Sequence, residues 1–121
     1  MEKNTELDTL LSNEELLTLP EVAEELGIAV TRVHDLLHAK KLIAYIRDGQ
    51  RLVPAAFIND KGAINKHVSG AITVLSDGGF SNEEILEHLF TEDESLPGRP
   101  IDGLQGHLAR EVIRRAQAMG L

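Results

Sequence analysis

Two short apolar stripes of helical period, Val22, Ala23 and Leu26 and then Val33, Leu36 and Leu37, are separated only by Gly27-Ile28-Ala29. Residues three and four apart share one face of a helix, so each stripe can bury one side of a helix two to three turns long. A glycine after Leu26 lets the backbone leave the first helix sharply and enter the second. The second stripe then runs into a segment of different period. Ile43 to Arg47 reads as a β-strand, Asp48-Gly49 as a tight turn, and Arg51 to Val53 as the returning strand, which Pro54 ends. Two short helices followed at once by a hairpin leave few architectures open.

The flanking segments are helical. Thr18, Leu19 and Pro20 open the first helix of the pair, proline being favoured in a first turn. Ser12 with Glu15 three positions on has the form of a capping box and predicts a further short helix there. After Pro54, Ala55 to Ile58 fit a single turn. Ile64, Val68, Ala71, Ile72 and Leu75 mark a longer helix that Asp77-Gly78-Gly79 stops. Ser81 with Glu84 caps another, ending near Phe90. "TEDESLPGRP" reads as an acidic loop, Pro100 opens a short turn, and Leu108, Val112, Ile113 and Met119 give the last helix its buried side. With aromatics at 3% of the chain, the core has to be aliphatic.

Charge is partitioned along the chain. Residues 1–26 carry eight acids against one base and residues 67–121 nine against four, whereas residues 27–66 carry seven bases against three acids. The overall charge of -8 therefore hides a basic middle. Cysteine is absent, which rules out thiolate zinc sites, iron-sulfur clusters, disulfides and thiol nucleophiles. No apolar run approaches the roughly 20 residues that span a bilayer, and the acidic start lacks the form of a secretory signal. A cytoplasmic location, no membrane and no cofactor are expected. No nucleophile, base and orienting group can be assembled from neighbouring motifs, so an enzyme is not expected.

The series Leu19, Glu21, Val22, Ala23, Leu26, Gly27, Ile28, Val33, Leu36, Leu37, Leu42, Ala44, Gly49, Arg51, Val53, Pro54 and Ile58 resembles the winged helix-turn-helix of excisionase-type and MerR-type DNA-binding proteins. With the acidic leader and the tail "GRPIDGLQGHLAREVIRRAQAM", the chain is similar to a small actinobacterial family of DNA-binding proteins known from mycobacteria. The resemblance implies a mainly α fold: a winged helix-turn-helix over 12–60 with a short β-hairpin wing, then a C-terminal helical bundle over 61–121 packed on it. Residues 1–11 are expected to form a disordered acidic tail.

The resemblance also implies that the second helix enters the major groove of double-stranded DNA while the hairpin meets the backbone or minor groove. Thr31, Arg32, His34, Asp35 and His38 are then the groove-side residues, Lys40 and Lys41 meet phosphates, and Arg47 and Arg51 flank the wing turn. Ala29 departs from the Ser or Thr often found before such a helix, giving up a cap worth about 1 kcal/mol. The implied role is a transcriptional regulator or nucleoid-associated protein. The alternative is an antitoxin-like adaptor whose C-terminal helices bind a partner protein, set against a plain packing role for those helices. Arg114 and Arg115 either extend the DNA face or pair with Glu111 and the loop acids.

Other features carry less. His34 and His38, spaced i and i+4, lack the third ligand of a catalytic zinc site and the glutamate of the protease motif, so no metal is expected. His67, His88 and His107 fall on separate helices. Thr9, in the acidic leader, is a candidate for phosphorylation by a Ser/Thr kinase, which would add roughly -1.5 to -2 charges. No heptad run suits a coiled coil, so a monomer or weak homodimer is expected.

Overall fold

In a computed structural model, which describes residues 5–119, the chain runs α1 (Thr5–Leu10), β1 (Leu16–Thr18), α2 (Leu19–Leu26), α3 (Val30–His38), β2 (Tyr45–Arg47) and β3 (Gln50–Pro54). A 3-10 turn (Ala55–Phe57) leads to α4 (Lys66–Asp77), α5 (Asn82–Phe90), α6 (Pro100–Leu104) and α7 (Ala109–Met119). No helix among the described residues is long and apolar enough to cross a membrane. Side-chain caps set several of the boundaries. Asn65 accepts from the His67 and Val68 N–H groups at the start of α4, and Ser81 with Glu84 forms a reciprocal capping box on α5.

The expected helix from Ser12 does not form. Thr18 must be extended to cap α2 (φ -70°, ψ 165°), which leaves too little chain before it for a stable helix. Leu16–Thr18 instead adds a third strand beside the predicted hairpin. The antiparallel order is β1-β3-β2, with Leu17 opposite Val53 and Tyr45 opposite Leu52. The Ala55 N–H donates to the Glu15 carbonyl at 2.8 Å, extending the pairing past Pro54.

Within the expected tail of residues 1–11, residues 5–11 are ordered on the core. Residues 1–4 lie outside the described part, but Thr5–Leu10 is helical and Leu7 and Leu11 are each 1% exposed. Helix α1 packs against α5, so this segment joins the C-terminal helices in space. Apolar burial accounts for it, since two leucines at helical spacing find an apolar wall that local sequence cannot reveal. Leu7→Ala should therefore cost about 2–4 kcal/mol in urea unfolding. A change within about 0.5 kcal/mol would mean the segment is undocked.

One core joins the two halves. Leu17, Val22, Val33, Tyr45, Val53 and Phe57 from the first share a cluster with Ile72, Leu89, Phe90, Ile101 and Val112. The Phe57 and Phe90 rings lie 6.0 Å apart at 35°. Polar ties cross the same seam. Gln105 Nε2 donates to the Ala56 carbonyl at 2.8 Å and Arg99 pairs with Glu14 at 2.6 Å, while Asn65 Nδ2 donates to Gln105 Oε1 from within the C-terminal half. Arg99 also pairs with Asp102 and covers the Phe90 ring, and its guanidinium holds the Asp102 carboxyl below the usual carboxylate range. On α7 the buried stripe is Ala109, Val112 and Ala116. Met119, expected to face inward, is 37% exposed because it lies beyond the part of α7 that packs on the core.

Candidate nucleic-acid interface

The α2–α3 corner is built by its two ends. Thr18 Oγ1 accepts from the Glu21 N–H while the Thr18 N–H donates to Glu21 Oε1 at 2.8 Å, which holds the start of α2. Gly27 takes φ 68°, ψ 34° at the other end, a left-handed turn that costs an L side chain roughly 1–2 kcal/mol. Ala29 precedes α3 in an extended conformation with no side-chain cap, as its methyl requires. The Arg32 N–H donates to the Ala29 carbonyl at 2.9 Å, and the Val30 and Thr31 N–H groups at the very start of α3 are left for water or an anionic group.

Helix α3 touches the core with one fully buried residue, Val33, while Leu36 and Leu37 are half-buried. Thr31, Arg32, His34, Asp35 and His38 are all exposed. The helix thus stands proud of the body, its polar faces turned outward.

The wing lies beside it. Asp48 (φ 53°) and Gly49 (φ 77°) make a turn whose left-handed residues match the twist of the paired strands. Ile46 lies opposite Arg51 on the outward face and is 53% exposed. Arg51 then reaches across to α3, its guanidinium 3.2 Å from His34 Nδ1. Arginine can only donate, so this imidazole nitrogen accepts, and its lone pair faces a cation rather than a metal. Arg47 stacks its guanidinium 5.5 Å from the centre of the Tyr45 ring, which fixes an exposed cation near the wing turn.

The Arg51–His34 contact is a ridge between two depressions. On one side His38, Ile46 and Asn82 help line a hollow of about 590 Å³. On the other, Thr18, Pro20, Val30 and Gln50 help line one of about 360 Å³. His34 and Arg51 belong to both. The structure therefore brings the exposed face of α3 and the wing arginine onto one continuous surface.

Lys40, expected to meet phosphate, is also tied into the fold. It follows α3 with φ 61° and is half-buried, its carbonyl accepts from Thr73 Oγ1, and its ammonium donates to Asn82 Oδ1 at 3.1 Å. It braces α3 against the start of α5, and Lys41 alone of the pair is exposed. Asn82, Ile46, Gln50 and Val30 were not singled out in the sequence. Asn82 had no local signal, since it lies 42 residues from the lysine it holds. Thr9 is exposed on α1 rather than in a loose tail, and its carbonyl accepts from the Ser12 N–H and Oγ.

The C-terminal arginines choose between their two expected roles. Arg114 and Arg115 both donate to Glu111 at 2.7 Å, and Arg115 also reaches Ser95 and Asp93. Arg114, then Arg115, hold the Glu111 carboxyl below the usual range. These cations are matched within the C-terminal helices, whereas Arg32, Lys41 and Arg47 have no acidic partner among the described residues.

Comparison with known proteins gives consistent matches. Residues 4–58 match the model for the "DNA-binding protein Rv2175c, wHTH domain", and residues 66–120 match the "Rv2175c C-terminal domain of unknown function". The DNA-binding protein Rv2175c of Mycobacterium tuberculosis (strain ATCC 25618 / H37Rv) is 40% identical over 124 residues, covering 93% of this chain and 85% of that protein. The NMR structure of Rv2175c aligns with a TM-score of 0.82 at 40% identity, over 90% of this chain and 83% of that one.

Proposed function

We propose that this chain, which belongs to the Rv2175c family of winged helix-turn-helix proteins, binds double-stranded DNA with α3 in the major groove and the β2–β3 wing on the backbone. The observation that carries the reading is the surface on which the exposed face of α3 and the wing meet through Arg51 and His34, a basic patch on an acidic protein. Exposed charges more than about 8 Å away are largely screened at physiological salt, so the acidic flanks do not cancel it. Lys41, Arg47 and Arg51 set affinity through phosphates. Arg32 reads a base, guanine being its usual partner, with Thr31, Asp35 and His38 beside it. Lys40 acts indirectly by holding α3 on α5.

The protein acts by binding as a monomer or weak homodimer, in the role of a transcriptional regulator or nucleoid-associated protein. Thr9 lies on the exposed side of α1, within reach of a Ser/Thr kinase.

Titration of a fluorescent random duplex at several salt concentrations tests this. With Lys41, Arg47 and Arg51 on phosphates, log affinity should fall against log salt with a slope of about -2.5 to -3. A slope near zero, or no binding at low salt, would remove the proposal. Arg32→Ala should cost about 1–3 kcal/mol on a preferred sequence and relax discrimination at one base pair. If every sequence weakens equally, Arg32 contacts phosphate instead.

A further inference from the structure

We propose that the groove between the end of α4, helix α5 and the end of α7 is a docking site for a basic amphipathic segment of a partner protein. The groove measures about 660 Å³, and none of its lining residues belongs to α3 or the wing. A duplex on the recognition surface would leave it open.

Its floor is apolar. Leu75 and Ile85 are buried at the base, Phe80 is half-buried, and Met119 stands 37% exposed at the edge. A methionine left partly in water offers an adaptable apolar contact for an incoming side chain.

Its rim is acidic. Glu84, Glu87, Glu92, Asp93 and Glu94 line it, and among the described residues no lysine or arginine does. Two of these are engaged within the fold: Glu84 accepts the Ser81 N–H at 2.8 Å, and Asp93 accepts from Ser95 and lies 3.8 Å from Arg115. The carboxylates of Glu87, Glu92 and Glu94 have no partner among the described residues. His88 brings no compensating cation, because burial pushes its imidazole below the ordinary range against the opposing pull of Asp93. Unmatched negative charge beside open apolar surface is complemented by an occupant that brings both apolar contact and positive charge. That occupant carries an apolar anchor flanked by Lys or Arg, as a helix does when it presents residues three and four apart.

The test is an NMR titration of the isotope-labelled full chain with a short helical peptide of Leu and Lys in amphipathic order. A shuffled peptide of the same composition and a Leu/Glu counterpart serve as controls. The amphipathic basic peptide should shift Phe80, His88 and Met119 saturably, and the controls should not. Glu87→Lys with Glu94→Lys should weaken it by about tenfold. Glu24→Lys with Glu25→Lys, the same charge change on exposed positions of α2, should leave it unchanged. Circular dichroism checks the fold of both. If the first variant does not fold, Met119→Gln at an exposed position should weaken the peptide in its place. Equal binding of the shuffled peptide, shifts spread over every acidic surface, or equal effects of the two double variants would overturn the proposal. So would groove signals that move with protein concentration alone together with those of α3, which would make the occupant a second copy of this chain.

Discussion

Reversing two charges, Lys41→Glu with Arg51→Glu, should lower affinity for random duplex DNA on the order of 100-fold at physiological salt, and make the salt slope shallower by about two. Taking one cation away from a phosphate removes about 0.9 from that slope, and a carboxylate in its place adds repulsion to the forfeited counterion release. The effect should be the same on every sequence, because phosphates carry no sequence information. Arg51 also braces α3 through His34, so Arg51→Lys separates its two roles. It should keep the slope but lose part of the affinity, since an ammonium lacks the planar fork. Arg114→Glu, at a position already paired with Glu111, should change little. If the reversed pair binds as the parent does while Arg114→Glu weakens binding, the DNA surface lies on α7.

Phe57→Ala should destabilise the whole chain by about 3–5 kcal/mol. Phe57 is fully buried and packs on Phe90 at the seam between the wing and the C-terminal helices. With typical domain stabilities of about 5–15 kcal/mol, the loss should lower the midpoint of thermal unfolding by roughly 10–20 °C. The shared core predicts a single transition, with the signals of both halves disappearing together. Two separate transitions, or a cost below about 1 kcal/mol, would show that the halves fold independently and meet only loosely. Duplex binding by the folded fraction should persist, because Phe57 lies behind the recognition surface rather than on it.

Much of the fold could be read from local pattern. The α2–α3 pair followed from two stripes and a glycine, the hairpin from Asp48-Gly49, and α5 from Ser81 with Glu84, because each signal sits within a few residues of the structure it sets. Ser12 with Glu15 shows the limit. The same pattern that caps α5 caps nothing there, since Thr18 claims the next helix start and Leu16–Thr18 can pair with the exposed edge of β3. Acidic composition suggested a loose tail, but Leu7 and Leu11 needed only an apolar wall on α5 to become core.

The interface divides in the same way. The sequence by itself determined which residues of α3 face outward, because helical period leaves Thr31, Arg32, His34, Asp35 and His38 off the buried stripe. It also determined that the basic charge lies between acidic flanks. Only the tertiary structure decided that Lys40 would be held by Asn82, that Arg51 would reach His34, and that Arg115 would also reach Ser95 and Asp93. Periodicity and turn chemistry act over a few residues and are written locally. Whether a long charged side chain stays free depends on what the fold brings within about 3 Å of its tip, and for Lys40 and Arg51 that partner comes from a distant part of the chain.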